Sequence, residues 1–147
     1  MLESVKSLKN RNKQFFEVAN LDIVPYRNSR KYYWDSISGY IDLFSIPENS
    51  VLEIGSGTGE LIGQMPCQRI VGIDFSESMI TYAKSQYPSV EYHLMDAEEL
   101  MIDEQFDLII ISNLIGFLGD IQKFLERLQS VCHSRTKVII THLNYLW

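Results

Sequence analysis

The sequence predicts an α/β fold with a doubly wound, mainly parallel sheet. From about residue 48 onward, short apolar segments typical of strands alternate with segments that have the spacing of amphipathic helices. The segment Val51–Ile54 runs directly into a glycine-rich turn, and Phe106–Ile111 is apolar enough to be buried on both faces. This alternation indicates parallel strands joined by right-handed crossovers, with helices covering both faces of the sheet.

Two helices are predicted ahead of the sheet, in residues 1–47. Residues 2–19 carry apolar side chains at a loose helical spacing. A second helix is predicted to begin near Asn28 or Ser29, either of which can cap it, and to be stopped by Pro47. Its buried stripe is predicted to contain Tyr33, Ile37, Tyr40, Ile41 and Phe44.

The sheet is predicted to occupy residues 48–147. Its five strands are predicted at Val51–Ile54, Ile70–Ile73, Val90–Leu94, Phe106–Ile111 and Lys137–His142. Ser76 is predicted to cap a helix that runs to about Tyr87, and Asp120 is predicted to cap the most amphipathic helix of the chain. The apolar side of that last helix is predicted to contain Ile121, Phe124, Leu125, Leu128, Val131 and Cys132.

The chain has 147 residues and a formal net charge of −6, and its composition is that of an ordinary globular protein. We therefore expect a single domain over residues 1–147. The negative charge argues against a general nucleic-acid binder, which normally carries a basic face. No apolar run approaches the roughly 20 residues of a membrane span, and the N-terminus lacks the apolar core of a signal peptide. Cys67 and Cys132 show no metal-ligand spacing, so we expect reduced thiols, no metal site and a cytosolic protein.

Three glycines at alternating positions, Gly55, Gly57 and Gly59, follow the first predicted strand. Glycine adopts backbone conformations that other residues avoid, and its missing side chain lets a ligand approach the backbone. The turn is predicted to lead into the start of a helix, as in sites where a cofactor lies across the carboxyl edge of a parallel sheet. A dinucleotide fingerprint would place its third glycine where this chain has Glu60, and an acid, Glu53, lies two residues before the first glycine.

The segment Glu53-Ile54-Gly55-Ser56-Gly57-Thr58-Gly59 resembles motif I of the class I S-adenosylmethionine-dependent methyltransferases. The resemblance implies S-adenosylmethionine as the cofactor, with the backbone of Gly55, Ser56 and Gly57 near its amino-acid end. It also implies that Glu53 receives the cofactor's ammonium group, directly or through water. The alternative for Glu53 is an acid that bonds to nearby loop amides.

The second predicted strand ends in Asp74, nineteen residues after Gly55, where an acid is expected to bind two ribose hydroxyls. A carboxylate suits this task because its two oxygens accept from two neighbouring hydroxyls at once. Phe75 and Met79 follow, placed to pack on an adenine ring. The alternatives are a capping role for Asp74 and core positions for the two apolar residues.

The third and fourth strand ends extend the same pattern. Asp96 is expected to accept from the exocyclic amine of adenine, while the Ala97 amide donates to a ring nitrogen. The alternative for Asp96 is an ordinary turn residue. Asn113, after the fourth strand, is expected to face the methionine part of the cofactor and the transferred methyl group.

The order and spacing of these strand ends match the motif series of the class I methyltransferases from about Val51 to the last residue. The resemblance implies a Rossmann-like sheet with the strand order 3-2-1-4-5, preceded by N-terminal helices. Many proteins of this type carry a histidine a few residues past the fourth strand, where this chain has Phe117. The catalytic base is therefore unassigned, and His142, Asn113 and Tyr26 stay candidates for a catalytic role, with structural roles as the alternative.

A closer resemblance is to the methyltransferase half of bacterial proteins that also contain a family 2 glycosyltransferase. It is carried by Gly72-Ile73-Asp74-Phe75-Ser76, Asp96-Ala97-Glu98-Glu99-Leu100, Gly116-Phe117-Leu118 and Asn144-Tyr145-Leu146-Trp147. It implies an acceptor connected with cell-surface polysaccharide, either a glycan or a small molecule. Complete domains of this kind continue past the fifth strand, so we expect a chain that lacks the C-terminal strands. An uncovered fifth strand invites pairing with another chain, and we expect a homodimer through this edge.

Two other functions stay open. A nicotinamide-dependent oxidoreductase explains Gly55, Gly57 and Asp74, but it does not explain Glu53, Asp96 or the early third glycine. A non-catalytic module that binds the cofactor and acts through protein contacts is the second alternative.

Overall fold

The computed structural model describes residues 10–12, 14, 31–47 and 49–142. Its helices and strands are α1 (Lys31–Asp42), β1 (Ser50–Ile54), β2 (Arg69–Asp74), α2 (Glu77–Gln86), β3 (Glu91–Leu94), β4 (Phe106–Ser112), α3 (Ile121–Leu128) and β5 (Cys132–Thr141). Short 3-10 helices lie at Ala97–Glu99, Ile115–Phe117 and Gln129–Val131. Residues 10–12 and 14 are helical, whereas the rest of the predicted first helix, the caps at Asn28 and Ser29, and Tyr26 lie outside the described residues.

The five strands form one parallel sheet with the order β3-β2-β1-β4-β5, which confirms the predicted topology. The strand order reverses at β1, which pairs with β2 on one side and with β4 on the other. In such a sheet the loops that leave the neighbouring strands diverge and open a crevice above their carboxyl ends. The crevice of this protein therefore lies above the ends of β1, β2 and β4.

Two apolar clusters, one on each face of the sheet, confirm that helices cover both faces. The first cluster joins α1 and α2 to the sheet, and its buried members include Ile37, Ile41, Val51, Ile62, Ile80, Ala83, Leu108 and Ile110. The second joins α3 to the opposite face, and its buried members include Leu52, Ile54, Val71, Ile73, Ile109, Ile111, Phe124 and Leu128. The predicted helix caps are also confirmed, because the Met79 amide donates to Ser76 Oγ and the Lys123 amide donates to Asp120 Oδ1.

The predicted buried stripes are too wide in two helices. On α1, Ile37 and Ile41 are buried, but Tyr40 is 69% exposed and Phe44 lies beyond the end of the helix. On α3, Phe124 and Leu128 are buried, whereas Ile121 and Leu125 are more than 40% exposed. A helix that touches a flat sheet at one line of contact buries one row of side chains, so the flanking apolar residues stay at the surface.

Two predicted boundaries are also wrong. The glycine turn is followed by two short hydrogen-bonded turns, closed from the Gly63 amide to the Gly59 carbonyl and from the Met65 amide to the Ile62 carbonyl, and not by a helix. Glycine is a poor helix former, and Pro66 ends the segment. Strand β5 begins at Cys132 and not at Lys137, because an irregular register beside β4 accommodates residues 132–136 within the strand. Cys132 is therefore a strand residue, and His142 lies just past the end of β5.

In the part of the chain that the structure describes, no helix is both long and apolar enough to span a bilayer.

Candidate functional site

The glycine turn is anchored to the end of β2. The amides of Gly55 and Ser56 both donate to the Ile73 carbonyl over 2.9 Å, and the Gly59 amide donates to the Ser56 carbonyl. Gly55, Gly57 and Gly59 have φ angles of 77°, 51° and 78°, which lie in the left-handed region that favours glycine. The turn above the crevice therefore requires glycine at these three alternating positions.

The three glycines face different surroundings. A side-chain carbon added to Gly55 would lie 3.1 Å from Leu114, and one added to Gly59 would lie 2.2 Å from the Tyr92 hydroxyl. A carbon added to Gly57 would have no atom within 4 Å. Gly55 and Gly59 thus allow the protein itself to pack closely against the turn, whereas Gly57 presents its backbone to open space that a ligand can enter.

Asp74 links the end of β2 to the glycine turn. Its Oδ2 accepts from the Gly57 amide over 2.9 Å, and its Oδ1 accepts from the Ser76 amide over 2.9 Å. Asp74 is 9% exposed, and burial raises the pKa of this carboxyl above its ordinary value although backbone amides at Ser76, Gly57 and Phe75 act in the opposite direction. An ionised carboxylate has about four acceptor positions, which three backbone amides do not exhaust, so acceptor capacity remains for a ligand.

Asp96 lies at the same edge of the sheet as Asp74. The Met95 amide donates to the Asp74 carbonyl over 2.9 Å, which joins the ends of β2 and β3. The Asp96 Oδ1 accepts from the Glu98 amide and caps the short helix that begins with Ala97. The structure therefore brings together the glycine turn and the two acids predicted to share one site.

The two apolar residues predicted to pack on adenine differ in exposure. Phe75 is half-buried and directly follows β2, while Met79 is buried in the first turn of α2. Both lie within five residues of Asp74 at the start of α2. Their place along the chain is compatible with the predicted adenine contact.

Asn113 occupies the end of β4 in a left-handed conformation, with a φ of 54°. Its amide donates to the Thr141 carbonyl over 3.0 Å, and its Oδ1 accepts from the Tyr33 hydroxyl over 3.0 Å. Tyr33 belongs to α1, so an element that precedes the sheet holds this side chain. The sequence pattern identified Tyr33 only as part of an apolar stripe, because a contact across eighty residues leaves no local signal.

His142 is exposed and lies next to the loop that follows β4. A side-chain carbon added to Gly116 would lie 3.3 Å from His142 Cε1. One residue earlier, Thr141 Oγ1 lies 3.1 Å from Ser112 Oγ at the end of β4. His142 therefore shares the carboxyl edge with Asn113, and its position leaves it as a candidate for proton transfer.

Sequence reasoning also missed a buried acid behind the site. Glu98 is 3% exposed, and its Oε1 accepts from the amides of Gly119 and Asp120 at the start of α3. It fixes the loop between β4 and α3 to the segment after Asp96. Nothing in the local pattern distinguishes Glu98 from its neighbour Glu99, because its role depends on two amides that are more than twenty residues away.

Residues 51–135, more than half of the chain, match the protein family described as a methyltransferase domain. A putative methyltransferase of Invertebrate iridescent virus 6 is 25% identical over 124 residues, which cover 81% of this chain and 47% of that protein. A malonyl-[acyl-carrier protein] O-methyltransferase of Bacillus anthracis is 31% identical over 121 residues, which cover 77% of this chain and 45% of that protein.

Solved structures show the same fold. A methyltransferase of Thermotoga maritima, described as a possible histamine N-methyltransferase, aligns with a TM-score of 0.74 at 23% identity, covering 87% of this chain and 60% of that chain. The plantazolicin methyltransferase BpumL, in complex with a desmethyl-plantazolicin analogue and S-adenosylhomocysteine, aligns with a TM-score of 0.73 at 21% identity, covering 97% of this chain and 62% of that chain.

The chain spans about half the length of the curated relatives that it matches. The match over residues 51–135 includes the glycine turn, Asp74, Asp96 and Asn113, which are the residues that the fold gathers at one edge of the sheet. The chain therefore belongs to the methyltransferase domain family.

Proposed function

We propose that this protein binds S-adenosylmethionine and transfers its methyl group to an acceptor. The observation that carries the proposal is the convergence of the glycine turn, Asp74, Asp96 and Asn113 on one crevice. Relatives whose names identify them as methyltransferases, and a similar fold that holds S-adenosylhomocysteine in BpumL, support the same activity.

The residues at the crevice fit the chemistry of this cofactor. Gly57 offers backbone next to open space, and the Asp74 carboxylate keeps acceptor capacity for the ribose hydroxyls. Asp96 offers a carboxylate oxygen for the adenine amine. Glu53, 2% exposed at the end of β1, offers a negative charge for the ammonium group.

When bound, the cofactor supplies a methyl group on a positively charged sulfur, which is already activated for transfer. The protein then contributes orientation of the two reactants and exclusion of water. The Asn113 oxygen is engaged by Tyr33, so its amide NH₂ group is the part that can orient a bound molecule. His142 can accept a proton if the acceptor must lose one.

Calorimetry with S-adenosylhomocysteine and with NADH tests the proposal. We expect S-adenosylhomocysteine to bind with a stoichiometry of one and NADH to show no heat of binding. Tight binding of NADH with no binding of S-adenosylhomocysteine would instead support the oxidoreductase. A non-catalytic module would bind S-adenosylhomocysteine but transfer no labelled methyl group to any acceptor.

We further propose that the acceptor is a glycan or a small precursor of a cell-surface polysaccharide, on the strength of the sequence resemblance. Labelled S-adenosylmethionine, incubated with the protein and a panel of glycans, lipids and acyl-carrier-protein thioesters, tests this proposal. Label transferred to the acyl-carrier-protein thioester alone would favour the activity that the name of the Bacillus anthracis relative states.

The affinity for S-adenosylhomocysteine is expected to fall as the solution is acidified. Burial raises the pKa of Asp74, and only its ionised form accepts from both ribose hydroxyls. The affinity for S-adenosylhomocysteine is therefore highest at pH values above the pKa of Asp74, and it declines as the pH falls through that pKa. Binding titrations with S-adenosylhomocysteine at a series of acidic pH values measure the decline. Asp74→Asn should remove the part of the pH dependence that comes from protonation of Asp74. An identical pH profile in wild type and variant would contradict this assignment.

We also propose that the outer edge of β5 pairs with a second copy of the chain. Among the described strands, β5 has β4 as its one partner, and Val138 and Ile140 are 40% and 49% exposed. A two-fold axis beside this edge would pair two β5 strands in antiparallel fashion. Sedimentation is expected to show a dimer that Ile140→Lys dissociates, and a wild-type monomer at high concentration would contradict the proposal.

A further inference from the structure

A buried polar cluster, formed by Glu53, Ser56 and Tyr92, lies directly beneath the glycine turn. The sheet register places Glu53 of β1 beside Gly72 of β2, and Gly72 beside Tyr92 of β3. Glu53, Gly72 and Tyr92 therefore form one row across the three strands. Glu53, Ser56 and Tyr92 are 2%, 5% and 4% exposed. Three polar side chains are thus enclosed within an otherwise apolar side of the sheet.

Two glycines make room for this cluster. A side-chain carbon added to Gly72 would lie 2.7 Å from two ring carbons of Tyr92 and 2.9 Å from Ser56 Oγ. The Tyr92 ring therefore leans over Gly72, in the direction of Glu53. At its far end, the Tyr92 hydroxyl lies 2.2 Å from the position that a side-chain carbon of Gly59 would take. The hydroxyl is consequently held between the glycine turn and the sheet.

The Tyr92 hydroxyl has no hydrogen-bond partner within the part of the chain that the structure describes. A buried hydroxyl in this state is costly, and tyrosine normally keeps such a position only when a partner is available. Burial, together with the charge of Glu53, raises the pKa of Tyr92. The hydroxyl therefore keeps its proton at neutral pH and is available as a donor.

We propose that Tyr92 is a positioning residue for Glu53, and that its hydroxyl donates to the Glu53 carboxylate when the amino-acid end of the cofactor is bound. Glu53 is the acid of this row, and Tyr92 lies on its β3 side, across Gly72. A donor there favours the ionised carboxylate and restricts its orientation. The inference rests on the proposed cofactor.

The test compares two ligands that differ at the amino-acid end. S-adenosylhomocysteine carries the ammonium group, whereas 5′-methylthioadenosine has the same adenosine and lacks the amino acid. We expect Tyr92→Phe to weaken S-adenosylhomocysteine about tenfold, as loss of a hydrogen bond to a charged group implies. Binding of 5′-methylthioadenosine should change less than about twofold, because the contacts to adenosine are unchanged. A merely structural role would weaken both ligands equally, and that outcome would overturn the proposal.

Stability and coupling provide the controls. Tyr92→Phe removes a hydroxyl without a partner, so its thermal unfolding should match or exceed that of the wild type. Tyr82→Phe, on the exposed side of α2, should change neither ligand. In a Glu53→Gln background, Tyr92→Phe should add little further loss, because both changes remove one interaction. Full additivity of the two substitutions would refute the proposal. A wild type that binds neither ligand would refute the proposed cofactor instead.

Discussion

Asp74→Ala is expected to weaken binding of S-adenosylhomocysteine at least about tenfold, since charge-assisted hydrogen bonds to both ribose hydroxyls are lost. The substitution also removes the acceptor for the Gly57 and Ser76 amides, which loosens the glycine turn at its point of contact with β2. Both effects act in the same direction. This is consequently the largest loss of affinity that a single substitution at the described strand ends should produce.

Calorimetry on the purified variant measures the loss, with circular dichroism to confirm that the fold is intact. Asp103→Ala is a matched control, because Asp103 is an exposed acid in the loop ahead of β4. It should leave the affinity unchanged. If a folded Asp74→Ala protein bound S-adenosylhomocysteine as the wild type does, Asp74 would have no part in the site.

Gly59→Ala is expected to destabilise the protein by about 2–5 kcal/mol. An L-residue at a φ of 78° costs about 1–2 kcal/mol, and the added methyl group would overlap the Tyr92 hydroxyl, which adds about 1–3 kcal/mol of overpacking. The Tyr92 ring is enclosed and cannot swing away without disturbing the first apolar cluster. Urea unfolding at equilibrium measures the change.

Alanine substitutions at two other glycines separate the backbone strain at Gly59 from the overlap with Tyr92. Gly57→Ala imposes a left-handed alanine in open space, so it should cost only about 1–2 kcal/mol of backbone strain. Gly39→Ala, inside α1 with no atom nearby, should stabilise the protein by about 0.5–1 kcal/mol. Equal effects at positions 57 and 59 would show that the contact with Tyr92 is unimportant.

The residues that could be predicted from the sequence are those whose role follows from their place along the chain. Asp74 ends β2 and Asp96 follows the end of β3 by two residues, and parallel strands bring their carboxyl ends to one edge whatever the details of packing. The strand order was implied by the resemblance to the class I methyltransferases, and the apolar character of β4 agrees with its place in the interior of the sheet. These inferences need the order of elements and no knowledge of side-chain contacts.

The residues that could not be predicted depend on contacts between distant segments. Tyr33 meets Asn113, and Glu98 meets the amides of Gly119 and Asp120, only after the chain has folded. In the sequence, Tyr92 is indistinguishable from any other strand residue. Its buried position depends on the missing side chain of Gly72 on the neighbouring strand, which makes room for the Tyr92 ring. The width of a buried helical stripe was overestimated for a related reason. Periodicity gives the direction of a helix face, and the contact with the sheet sets how much of that face is covered.

The hydrogen bond from Tyr33 to Asn113 has a consequence for protein engineering. A second side chain from ahead of the sheet, Asn12, donates to the Phe117 carbonyl in the loop after β4. A chimaera that joined residues 49–142 to the leading helices of another relative would retain the glycine turn and Asp74. It would lose both of these attachments, and Asn113 would have to keep its left-handed backbone without them. Grafting of this sheet between relatives therefore requires that the leading segment and the end of β4 be transferred together.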